Sequence, residues 1–253
     1  MNLLIVADIH IKLGQRKVPR EWQANRVMLL ADEINKFTDV DMVVIAGDLL
    51  DVPKPTVDEI GLMLDFLHAI KMPKLVIPGN HEMVNKKKDC FQAVSAQLGE
   101  LYDTVVVRDF DSTTIPNVDI IPYNILHSEF KPVNKYAITH VRAEIPPHVQ
   151  SEVDLVIFED YDKVFAGDLH SHTNSQLNII YPGSPFTTSF HRKPSNKGNT
   201  GIILFDTDTG EHEWKQLDLP QLLRYTVSRV EDMVADPVNH IIYELEGDLE
   251  YLA

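Results

Sequence analysis

One pattern constrains this chain more than any other. Short apolar runs recur along it, and each stops at a polar, ligand-type residue. Leu3–Ala7 stops at Asp8 and His10, Met42–Ala46 at Gly47-Asp48, and Leu75–Ile77 at Pro78-Gly79-Asn80-His81. Tyr136–Thr139 stops at His140, and Val164–Ala166 at Gly167-Asp168-Leu169-His170. Runs this short and this rich in Val and Ile read as strands buried on both faces. Such a chain must build sheets with a polar end.

Between the early runs the period changes to that of a helix. In Glu21–Phe37, residues Val27, Leu30, Ile34 and Phe37 share one face. Thr56-Val57-Asp58-Glu59 is a capping box that opens a second helix with Val57, Ile60, Leu64 and Leu67 on its face. A third helix is expected over Asp89–Leu98. Strand–helix alternation implies parallel pairing with right-handed crossovers. The later runs Thr104–Val107, Val118–Ile121, Leu177–Tyr181, Gly201–Phe205 and Glu211–Leu217 lie closer together, and Asp208-Thr209-Gly210 marks a hairpin. The expectation is a four-layer α/β/β/α sandwich: two mixed sheets face to face with flanking helices. Residues 1–220 form its main domain, and 221–253 a C-terminal extension that starts a truncated or minimal capping element. At 253 residues the chain buries roughly 70–75% of its unfolded surface, enough for one such core.

Ligands of open α/β sheets bind beyond the carboxyl ends of the strands. Asp8, His10, Asp48, Asn80, His140, Asp168 and His170 therefore converge if the strands are parallel. Their donors are oxygen and nitrogen, which suits manganese, iron or zinc and not an iron–sulfur cluster. They exceed one tetrahedral site and, with bridging, match a two-metal centre of the kind that clamps a phosphoryl group. Any one of them alone reads equally as a turn residue or helix cap. The ordered set, each member following an apolar run, does not.

Asp8-Ile9-His10, Gly47-Asp48-Leu49-Leu50-Asp51 and Gly79-Asn80-His81-Glu82 resemble the calcineurin-like metallophosphoesterase signature. The likeness continues at His140, at Gly167–His170 and at Tyr181-Pro182-Gly183-Ser184-Pro185. Running on through Phe190, it is similar to the SbcD nuclease subunits of bacteria, archaea and phages, and it spans about residues 1–220. The resemblance implies that Asp8, His10, Asp48 and His170 hold one metal, and that Asp48, Asn80, His140 and residue 168 hold the other. It implies His81 as the catalytic histidine, beside the scissile phosphate. It also implies a DNA exo- and endonuclease for end processing, recombination or repair, two divalent ions (manganese, with magnesium also suitable), DNA as substrate, an SbcC-like ABC-type ATPase partner and a homodimer. The fourth motif departs from the family's Gly-His-x-His. Asp168 ligating in place of the imidazole, His172 supplying the nitrogen, and neither doing so all stand as readings. A phosphatase or small-molecule phosphodiesterase, or a weakened DNA-binding scaffold, stands as the alternative function.

A charge of −15 argues against a generic polyanion binder. Ten of the 23 basic residues nevertheless follow the motif loops: Lys12, Arg16, Lys17 and Arg20, then Lys86–Lys88, then Arg192, Lys193 and Lys197. Arg16, Lys17, Lys87 and Arg192 are the expected DNA contacts, and Lys86–Lys88 are expected just before a helix start. Cys90, the single cysteine, excludes an intramolecular disulfide. The N-terminal apolar run is too short for a signal peptide and is broken by Asp8. No stretch approaches the ~20 apolar residues of a membrane span. A cytoplasmic protein of a bacterial, archaeal or phage-infected cell is expected.

Overall fold

The computed structural model describes residues 1–147, 149–190 and 199–247. Its strands are β1 (Asn2–Val6), β2 (Met42–Ala46), β3 (Lys74–Ile77), β4 (Met83–Asn85), β5 (Lys88–Asp89), β6 (Thr104–Val106) and β7 (Val118–Ile121). They continue with β8 (Tyr136–His140), β9 (Lys163–Gly167), β10 (Ile179–Ile180), β11 (Gly201–Asp206), β12 (His212–Gln216), β13 (Leu222–Val227) and β14 (His240–Leu245). The α-helices are α1 (Arg20–Ile34), α2 (Val57–Ala69) and α3 (Ser95–Tyr102).

The larger sheet runs β12-β11-β1-β2-β3-β6 and is mixed, because β11 and β12 pair antiparallel beside the parallel strands. Period-two alternation sorts its residues. Leu4, Val6, Val43 and Ile45 face the helices, packing on Val27, Leu30, Ile34, Met63 and Phe66. Leu3, Ile5, Val44, Leu75 and Ile77 face the second sheet, packing on Ile120, Ile138 and Phe165. The second sheet, β10-β9-β8-β7, differs from the expected mixed one: all its pairings are parallel. Long crossovers join its strands, and only parallel neighbours need such connections. Its outer face is covered by loops and 3₁₀ turns, such as Leu155–Phe158, in place of an α-helical fourth layer among the described residues. The crossovers carry Pro132, Pro146 and Pro147, which lack the N–H a helix needs.

Thr56 caps α2 with the expected box: Glu59 N donates to Thr56 Oγ1, and Thr56 N to the Glu59 carboxylate. Its inward face is turned from the expected one, since Met63 and Phe66 are buried while Val57 is exposed. The third helix also differs. Asp89 caps a 3₁₀ turn over Cys90–Ala93, and Val94 leaves the helical region before α3 begins at Ser95. Lys86 and Lys87 consequently sit at the tip of the β4–β5 hairpin rather than at a helix start, so no helix dipole opposes them. Leu177–Tyr181 contributes only the two-residue β10.

Strands β13 and β14 form a separate parallel ribbon. It seats on the start of α1, where Trp22 Nε1 donates to Val238 O at 3.1 Å and His240 Nε2 lies 2.8 Å from Lys17 O. Trp22 is thus engaged by the chain's own β13–β14 ribbon. No helix among the described residues is long and apolar enough to cross a membrane.

Candidate metal centre

The carboxyl ends of β1, β2, β3, β8 and β9 meet at one edge of the sandwich, and the motif residues lie just past them. Four of these, Asp8, His10, Asp48 and Asp168, have positive φ (55°, 49°, 53° and 96°). Left-handed backbone costs a non-glycine residue of order 1–3 kcal/mol and clusters at functional sites. Gly47, at φ 88°, carries no Cβ because one would overlap the imidazole of His140.

His10 Nε2 and His170 Nε2 are 3.1 Å apart. His170 Nδ1 lies 3.1 Å from Thr188 Oγ1, and His10 Nδ1 makes an ion contact with Asp51 Oδ1 at 3.2 Å without hydrogen-bond geometry. If Nδ1 carries the proton in each ring, two lone pairs point at one another. His140 repeats the arrangement. Its Nδ1 donates to Ala46 O at 2.9 Å, and its Nε2 lies 3.0 Å from Asn80 Oδ1 and 3.5 Å from Asp48 Oδ2. Asp8 Oδ1 accepts from Asp168 N at 3.0 Å, whereas Asp8 Oδ2 is buried with no hydrogen-bond partner. Converging imidazole nitrogens and an orphaned carboxylate oxygen are what a cation site requires. Asp8 with His10 and His170, Asp8 with Asp48 and His140, and His10 with Asp48 and His81 each bring their ligand atoms within 4.8 Å of one another.

The same crowding sets the protonation. Burial pushes Asp8 up to about 7, against the pull of His140. Burial would raise Asp48 too, but the charge and hydrogen bond of His140, then His10 and His81, hold it well below the usual range. His140 is raised by Asp48 despite its burial. Burial and the neighbouring His10 push His170 down to about 3, leaving it a neutral donor.

His81 stands at the rim. Its N–H donates to Asp48 Oδ1 at 3.0 Å, its Nδ1 lies 2.7 Å from Asp51 O, and its Nε2 faces Asp48 Oδ2 at 4.0 Å. Asp168 is engaged by Arg142, whose Nε donates to Oδ2 at 2.9 Å, and its Oδ1 lies 3.9 Å from His140 Nε2. His172 is turned away from the centre: its Nδ1 lies 2.7 Å from Tyr181 O and its ring stacks on Trp214.

Sequence reasoning quoted Asp51 and Glu82 inside motifs without giving them work. Asp51 orients His10 and binds Lys12 Nζ at 2.5 Å. The buried Glu82 accepts from Asp48 N, Leu50 N and Gly79 N at 3.1, 2.7 and 2.8 Å, tying two motif loops together. Arg142 was missed, having no motif of its own, and Thr188 lay inside the stretch running to Phe190 without being given a role. Of the basic candidates, Arg16, Lys17 and Lys87 are exposed, with no ion pair among the described residues. Lys12 and Arg20 are neutralised by Asp51 and Asp58. Arg192 lies outside the described residues.

A strained cluster of carboxylates and imidazoles at the open end of a two-sheet sandwich defines a metal-dependent phosphoester hydrolase. The chain belongs to the calcineurin-like phosphoesterase family, whose profile matches residues 1–170 and whose members use divalent metals. It is 42% identical to the "Probable exonuclease subunit 1" of Escherichia phage T5, over all of this chain and 80% of that protein. It is 25% identical to the SbcD component of the SbcCD nuclease of Staphylococcus saprophyticus, over 70% of this chain and 62% of that one. Among solved structures, TT1561 of Thermus thermophilus superposes with a TM-score of 0.51 at 10% identity, covering 84% of this chain and 96% of that one. That likeness shows the shared fold.

Proposed function

We propose that this chain is a metal-dependent DNA nuclease of the SbcD type, hydrolysing phosphodiester bonds at a two-metal centre. The observation that carries this reading is the orphaned Asp8 Oδ2 in the cluster where His10 Nε2 and His170 Nε2 lie 3.1 Å apart. The names of the phage and staphylococcal relatives support the nucleic-acid substrate.

Asp8, His10, Asp48 and His170 would hold one cation, and Asp48, Asn80, His140 and Asp168 the other. The mixed oxygen and nitrogen donors suit manganese, with magnesium as the substitute. Bound there, two such ions would supply Lewis acidity toward a water and the phosphoryl oxygens. The chain's own residues do the rest. Asp51 and Thr188 fix the ring planes of His10 and His170. His81, anchored through Nδ1, presents Nε2 to the mouth, where it would steady the phosphoryl oxygens or protonate the leaving oxygen. Arg16, Lys17, Lys87 and Arg192 would grip backbone phosphates, while the acidic remainder of the surface limits non-specific binding. We further assign residues 1–220 to the nuclease domain and 221–253 to a C-terminal extension. A homodimer, an SbcC-like ATPase partner, a role in DNA recombination or repair, and a cytoplasmic setting belong to the same reading.

The test is hydrolysis of single- and double-stranded DNA, a chromogenic phosphodiester and a phosphomonoester with manganese. Asp48→Ala and His81→Ala serve as controls. DNA cleavage lost in both variants is expected. Activity that survives Asp48→Ala overturns the metal mechanism. Preference for the monoester makes the chain a phosphatase, and metal binding without cleavage makes it a scaffold.

A further inference from the structure

Arg142 and Asp168 stand side by side past the ends of β8 and β9, where Val141 N donates to Gly167 O at 3.2 Å. Arg142 Nε donates to Asp168 Oδ2 at 2.9 Å, and its Nη2 reaches Oδ1 at 3.4 Å. Oδ1 also lies 3.9 Å from His140 Nε2, so the carboxylate has one edge on the guanidinium and one corner toward the centre. The Asp168 side chain is 7% exposed and that of Arg142 40%, which puts the acid on the floor of the site and its cation at the rim.

The charge pattern around the centre is orderly. Asp51 is matched by Lys12 and Asp168 by Arg142, whereas Asp8 and Asp48 have no Lys or Arg ion pair among the described residues. The inner acids are left for metal, and the outer ones are already balanced. An unbalanced carboxylate on the floor of the site, beneath the rim, would repel an anionic phosphodiester. A planar guanidinium can hold Asp168 by both oxygens while cancelling its charge, which a lysine does less well.

We infer that Arg142 is a positioning and charge-balancing residue: it makes Asp168 part of a neutral couple that directs Oδ1 toward His140 and keeps the rim passable to a phosphodiester. The inference rests on the metal-dependent phosphodiesterase reading above.

The test compares metal-stripped wild type with Arg142→Gln, Arg142→Lys, Asp168→Asn and the double variant Arg142→Gln/Asp168→Asn. Manganese binding is followed by calorimetry, and KM and kcat are measured on bis(p-nitrophenyl) phosphate. Changes beside a metal-facing ligand shift metal affinity on the order of ten- to a hundredfold. Arg142→Gln removes the cation that offsets Asp168, so KM for the anionic diester is expected to rise roughly tenfold and manganese affinity to shift by a comparable factor. With its charge balance restored, the double variant should return KM toward wild type, as should Arg142→Lys, while its manganese affinity falls with the loss of the Asp168 carboxylate, as in Asp168→Asn alone. The inference is overturned if Arg142→Gln moves neither quantity, or if the double variant shows the sum of the two single effects. Should Arg142→Gln fail to fold, Arg142→Lys and the double variant are judged by the same criteria. A wild type that neither binds manganese nor cleaves any phosphodiester is a different result, and refutes the underlying reading instead.

Discussion

Glu82 is fully buried and holds three backbone donors from two loops. Oε2 serves Asp48 N and Gly79 N, and Oε1 serves Leu50 N. Each buried donor left unpaired costs ~1–3 kcal/mol. Glu82→Ala strands all three and should cost ~3 kcal/mol or more, a large share of a typical stability of ~5–15 kcal/mol. Glu82→Gln can place its carbonyl oxygen where Oε2 sits and keep two bonds, losing only the one to Leu50, for ~1–3 kcal/mol. In a chain of this size 1 kcal/mol shifts the melting temperature by roughly 2–4 °C. Thermal unfolding by circular dichroism, in chelator, should therefore show Glu82→Ala at least ~6 °C below wild type, with Glu82→Gln in between. An alanine variant within about 1 °C of wild type would refute the role of Glu82 as the tie between the loops. So would a glutamine variant that falls as far as alanine.

Three further outcomes are expected. In metal-free protein, Asp8 keeps its proton to about 7 when folded against 3.8 when unfolded, so its contribution to stability is lost as pH rises through that window. Asp8→Asn should flatten this fall, and identical pH–stability curves would count against the orphaned carboxylate. Manganese at a hundred times its dissociation constant should stabilise wild type by ~2.7 kcal/mol, roughly 5–11 °C, and Asp8→Asn should lose most of that gain in the same melting assay. Burial, then Glu82 and Asp89, push the Cys90 thiol up to about 12 from 9.0. Native protein at pH 8 should react with a thiol-exchange dye roughly 30- to 60-fold more slowly than protein in urea, and equal rates would contradict that environment.

Much of the centre was legible in the sequence because strand ends are local. An apolar run sets a buried strand, and the polar residue that stops it sits at the strand's end wherever the strand goes. That reasoning reached Asp8, Asp48, Asn80, His140 and His170, and the capping box reached the start of α2. It failed at Asp89–Leu98, where an Asp cap on a 3₁₀ turn outweighed helical spacing. It also failed at Lys86–Lys88, which the hairpin claimed.

The partners of these residues come from far along the chain, and no local pattern announces them. Arg142 meets Asp168 because β8 and β9 pair in parallel. Thr188 meets His170 because the loop after β10 folds back over the motif. No acid lies between Lys12 and Arg20 in sequence, yet folding brought Asp51 and Asp58 to them. The amino-acid order alone determined which side chains stand at the polar end of the sheets. Only the tertiary structure decided which of their charges are already balanced and which are left for a cation, because ion pairing depends on distances that parallel crossovers close across scores of residues.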